Sequence, residues 1–106
     1  MTHRGEHRLP RRILDRIRAA IRQAAYDITA HAIEEMAEDG LDIADVETAI
    51  LNGRVVKTER DDSRGTRYTV HGIGADGITP VGTAGRFTGT GRYLLITVYE
   101  ITGPRV

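Results

Sequence analysis

A chain of 106 residues without cysteine has room for one domain, and it has neither disulfides nor thiolate chemistry to draw on. No apolar run nears the ~20 residues of a membrane span. The opening MTHRGEHRLPRR lacks the apolar core of a secretory signal, so a cytoplasmic location is expected. The formal net charge of zero hides segregation: +5 over residues 1–25, −8 over 26–50 and +3 over 51–106. Either separate faces meet nucleic acid and protein, or adjacent helices neutralise one another.

Residues 1–7 read as a disordered tail before a single domain spanning residues 8–102. The first helix is expected from about Leu9 to Ala25, with Pro10 tolerated in its first turn. Leu9, Ile13, Ile17, Ala20, Ile21 and Ala24 form an apolar stripe that should dock on the domain. Arg8, Arg11, Arg12, Arg18 and Arg22 project oppositely, either as a solvated face or towards phosphate or an acidic partner. The second helix starts after Thr29, a good N-cap, and stops at Gly40. It turns Ile33, Met36 and Ala37 inward, and Glu34, Glu35 and Glu38 away with His31. A short third helix follows the Asp42 cap, packs Ile43, Val46 and Ile50, and ends at Gly53.

After Gly53 the apolar period drops to two. Arg54 to Arg60 and Arg67 to Ile73 read as strands, Asp76-Gly77 as a hairpin turn into Ile78 to Phe87, and Tyr93 to Ile101 as the last strand. YLLITVYEI is the most β-prone run and is expected centrally. The strand with Pro80, Gly82 and Gly85 is expected at an edge. The fold class is therefore α+β: three N-terminal helices packed on a four-stranded twisted antiparallel sheet. The expected core is Ile13, Ile17, Ile21, Ile33, Met36, Val46, Ile50, Val70, Leu94, Ile96 and Val98.

Residues 72–77 match G-x-G-x-x-G, yet a strand and not a helix follows, so dinucleotide binding is set aside. His3, His7, His31 and His71 make no metal cluster, and no metal or cofactor is expected. His31 has Glu35 one turn later on the same face. That spacing can hold an imidazole in one tautomer for general-base work, although a histidine in a capping turn can simply pack. Tyr99 shares a strand face with Thr97 and Ile101. It is either a half-buried sheet residue or a group that positions a phosphate, with Arg67, Arg86 and Arg92 as charge-neutralising neighbours.

The run Thr29-Ala30-His31-Ala32-Ile33-Glu34-Glu35-Met36-Ala37-Glu38-Asp39-Gly40-Leu41, then Asp45-Val46-Glu47, Ala49-Ile50, Asn52-Gly53, Tyr68 to Gly72 and Ile96-Thr97-Val98-Tyr99, resembles the bacterial domain-of-unknown-function family 4258. The resemblance covers roughly Ile28 to Glu100. It implies a compact relative of RelE-type toxins with a RelE-like, microbial-RNase-like fold. It further implies RNA cleavage without metal, a small antitoxin protein as partner, and His31 and Tyr99 as site residues. The family carries arginine where this chain has Glu35 and Asp39. Carboxylates repel a phosphodiester, so phosphate ligands are expected from the sheet or the first helix. The expectation is a toxin-like endoribonuclease with His31 as acid or base, Arg67 and Arg92 holding phosphate and Tyr99 orienting it. The alternative is a non-catalytic protein-binding module of the same fold, whose acidic segment pairs with a basic partner, including a second copy in a homo-oligomer.

Overall fold

The computed structural model describes residues 9–61 and 63–102; the expected N-terminal tail lies outside them. The elements are α1 (Leu9–Arg22), β1 (Tyr26–Ile28), α2 (Ala30–Glu38), α3 (Ile43–Asn52), β2 (Arg54–Asp61), β3 (Gly65–Ile73), β4 (Pro80–Phe87) and β5 (Tyr93–Glu100). Thr29 caps α2, its hydroxyl accepting from Ala32 N at 3.1 Å. Asp42 and Asp45 cap α3 reciprocally, each side chain accepting the other's backbone N–H.

The α+β class holds, but the expected four-stranded antiparallel sheet below three uninterrupted helices is overturned. The sheet is five-stranded and mixed, in the order β1-β5-β4-β3-β2. The additional strand, β1, pairs parallel with β5, Tyr26 facing Tyr93 and Ile28 facing Leu95. α1 ends at Arg22, before the expected Ala25, and Ala24 takes a left-handed φ of 55° that releases the chain into β1. A strand of three residues is too short for an alternation of two to register in sequence.

β4 also departs from expectation, lying inside the sheet between β3 and β5. Its glycines are spaces for neighbours: a Cβ on Gly82 would stand 2.4 Å from the Tyr99 ring, and one on Gly85 2.7 Å from the Tyr93 ring. Gly72 does the same for a helix, since its Cβ would meet Ala49 O at 1.9 Å. That close approach, with the turn at Gly77 (φ +82°), accounts for much of the G-x-G-x-x-G spacing.

The core joins Ile17 and Ile21 of α1, Met36 of α2, Val46, Ala49 and Ile50 of α3, and Val70, Val81, Tyr93, Leu95 and Val98 of the sheet. Three expected members differ. Ile33 is 53% exposed. Leu94 and Ile96 are only half-buried, because the pairing jumps from Ala84↔Thr97 to Gly85↔Leu95 and leaves Ile96 as a bulge residue. The bulge puts Tyr93 and Leu95 on the core side and turns Leu94 and Ile96 out.

Arg18 donates from Nη2 to Gly53 O at 2.9 Å, and Arg16 lies 4.1 Å over the Phe87 ring. Among the described residues α1 forms no ion pair with α2.

Candidate functional site

α1 and α3 pack on one face of the sheet, and α2 runs beside β5. Among the described residues no helix lies over the other face. Register partners form rows across it: Arg54, His71, Gly82 and Tyr99 in one, Lys57, Thr69, Ala84 and Thr97 in the next. Arg67, beside Glu59, and Arg86, beside Leu94, follow after that. Successive rows are two residues apart, or about 6.6 Å. The middle row ends in the small residues Thr69, Ala84 and Thr97, so it forms a trough between a His71–Tyr99 ridge and an arginine ridge.

His71 Nε2 lies 3.2 Å from the Tyr99 hydroxyl, and the rings meet edge-on. A second pair stands at the β5 margin, where His31 Nε2 lies 3.2 Å from Glu35 Oε2. A carboxylate accepts and cannot donate, so in this contact Nε2 carries the hydrogen, and in the neutral imidazole Nδ1 keeps the lone pair. Glu35 is itself fixed, its Oε1 accepting from Thr97 Oγ1 and from Val98 N at 3.0 Å. One turn on, Asp39 Oδ2 accepts from Glu100 N at 2.8 Å. The two carboxylates therefore take up strand-edge N–H groups that β1, paired only as far as Leu95, leaves unpaired.

Of the expected site residues, Tyr99 and Arg67 share the open face two rows apart, and His31 reaches its margin through Glu35. Arg92 does not join them. It forks onto Asp27, Nε to Oδ2 at 2.8 Å and Nη2 to Oδ1 at 3.1 Å, and also donates to Tyr26 O. That pairing holds the Asp27 carboxyl below its usual range and the Arg92 guanidinium above its own. His71 was missed as a partner of Tyr99, because only the β3–β4–β5 register brings them together. Beside the trough, Arg60, Arg64, Arg67 and Arg86 line a cleft of about 520 Å³ with Thr29, Leu94 and Ile96.

Among the described residues no group of three His, Cys, Asp or Glu is placed to hold a metal ion. None of their helices is long and apolar enough to cross a membrane. Residues 28–100, from the end of β1 through β5, match the model of a family described as domain of unknown function (DUF4258). No curated protein and no solved structure matches the chain.

Proposed function

We propose that this chain, which belongs to the DUF4258 family, is a metal-independent endoribonuclease of the toxin type that works from the open face of its sheet. One observation carries the reading: two hydrogen-bonded histidine pairs, His31–Glu35 and His71–Tyr99, both adjoin Thr97, whose hydroxyl is bonded to Glu35. Strand cleavage needs a base and an acid on either side of one phosphate. His31 Nδ1 takes the proton of a ribose 2′-hydroxyl, whose oxygen attacks the adjacent phosphorus. The P–O5′ bond breaks, and Tyr99 gives its proton to the departing 5′-oxygen while protonated His71 resupplies Tyr99. The products are a 2′,3′-cyclic phosphate and a free 5′-hydroxyl. Arg67, from the neighbouring ridge, neutralises charge developing on the phosphorane. Arg92, held by Asp27, has no part in this scheme.

The test is RNA cleavage by the full chain, with and without EDTA, alongside His31→Ala and Tyr99→Phe. Loss of either proton-transfer group should lower the rate by about 10²–10⁴-fold with EDTA without effect. The histidine-dependent limb should titrate between about pH 5 and 8. Intact RNA with folded wild type ends the proposal. The second reading, a protein-binding module without chemistry, draws on the exposed Glu34 and Glu38 of α2 and on its C-cap, Asp39. It requires salt-sensitive binding of a basic protein that reversing those charges abolishes, with RNA left whole. A small antitoxin protein remains the partner implied by the nuclease reading.

A further inference from the structure

Among the described side chains, the cleft beside the trough is lined by four arginines and one carboxylate. Among the described residues, Arg60, Arg64, Arg67 and Arg86 have neither a hydrogen-bond nor an ion-pair partner. The carboxylate among the lining residues, Glu59, is paired with Lys57 at 3.5 Å. Arg67 and Arg86 stand on the open face, Arg64 precedes β3, and Arg60 reaches the rim from the strand's other side; together they focus a positive potential into the cleft.

A second observation is independent of the first. The β5 bulge turns Leu94 and Ile96 out of the core and makes them part of the same cleft. Two half-buried aliphatic side chains among arginines suit a ligand that is anionic at its edge and flat and apolar in its middle. A nucleotide has that combination: phosphates for the guanidinium forks, and a base face for the aliphatic floor and the guanidinium planes.

We infer that this cleft is a single-strand subsite for RNA. It seats one unpaired base on Leu94 and Ile96 while Arg60, Arg64 and Arg86 hold the flanking phosphates. The ligand class rests on the ribonuclease reading; the subsite does not rest on cleavage. Its volume of about 520 Å³ is in the range of a small-molecule pocket. A base enters it only when unstacked, so duplex is excluded. The cleft adjoins the trough, so cleavage falls next to an unpaired nucleotide.

The experiment is fluorescence anisotropy of a short labelled RNA on the full chain, as single strand and as duplex, across a salt series. The single strand should bind and the duplex should not. An abasic nucleotide at the preferred position should weaken binding. Removing Arg64, which is exposed, by Arg64→Ala should lower the slope of log K against log salt by about 0.7, and Arg60→Ala by a similar step. Melting curves on the same samples confirm the fold. Unchanged slopes, or duplex bound as well as single strand, overturn the subsite. So does poly-glutamate that competes equally and with the same arginine dependence, which would reassign the cleft to an acidic protein segment. RNA bound with these slopes but left uncut sinks the nuclease reading and leaves the subsite standing. RNA cut normally by Arg64→Ala, with binding unmoved, sinks the subsite alone.

Discussion

The two faces of this sheet are written in the same strands, often in adjacent residues. Val98 is fully buried against the helices, while its neighbour Tyr99 stands on the open side bonded to His71. Leu95 is buried and Leu94 is in the arginine cleft. The buried part of the covered face is apolar apart from Thr83. The open face mixes arginine, histidine, tyrosine and small residues. The hydrophobic effect selects the first composition for stability, and it gives no reason for the second. What stands on the open face is there for solubility or for a ligand.

Six substitutions test that division. The largest contrast is between neighbours: Leu95→Ala should cost about 2–5 kcal/mol in a denaturant titration, and Leu94→Ala about 1 kcal/mol. Equal costs would erase the distinction between the faces. Next come two glycines. Gly72→Ala drives a Cβ into the backbone of α3 and should cost about 1–3 kcal/mol. Gly82→Ala drives its Cβ into the Tyr99 side chain, so it should displace that ring and depress cleavage more than it lowers the melting temperature. Glu35 belongs to both faces. Glu35→Ala should cost about 1–2 kcal/mol by stranding Val98 N–H and the Thr97 hydroxyl. Glu35→Gln can keep those two bonds while presenting an amide to His31, so stability should hold and RNA cleavage should fall.

The smallest effect is a pH dependence on the helix side. Tyr26 donates to Glu47 Oε2, and burial, then the hydrogen bond and charge of Glu47, push its phenol up to about 12. A pKa raised on folding means that the neutral form is favoured in the fold. The contribution is complete below the unfolded value of about 10 and is lost as pH rises towards 12. Melting temperature should therefore decline across that window in wild type and less in Tyr26→Phe. Cleavage assayed near neutrality should not distinguish the two proteins.

Much of the fold was legible because its signals are local. Thr29 and Asp42 announce their helices by capping chemistry, Gly40 and Gly53 end them, and the strands of residues 54–100 alternate clearly. Three things were not legible. β1 is too short to show a period. The bulge at Ile96 is a property of pairing with β4, so continuing the alternation back from Val98 assigns Leu94 and Ile96 to the wrong side. β4 looks like an edge strand by composition, because what fills its glycines lies on β5. The site was less legible still. His31 with Glu35 follows from helical spacing, but His71 with Tyr99 requires the register of three strands. Arg92 looked equivalent to Arg67 until Asp27, 65 positions away, was found to hold it.

The carboxylates along β5 have a geometric limit, that of a vernier. Four residues of helix advance about 6.0 Å, and two residues of strand advance about 6.6 Å. A helix laid beside a strand edge can therefore stay in step for only a couple of rungs before the offset exceeds what a hydrogen bond tolerates. Glu35 on Val98 and Asp39 on Glu100 are two such rungs. The preceding helical position is His31, and the strand position it would have matched falls in the bulge at Ile96. Out of step with the ladder, that side chain has no backbone amide to serve, and the same mismatch that ends the edge repair leaves an imidazole available at the mouth of the open face.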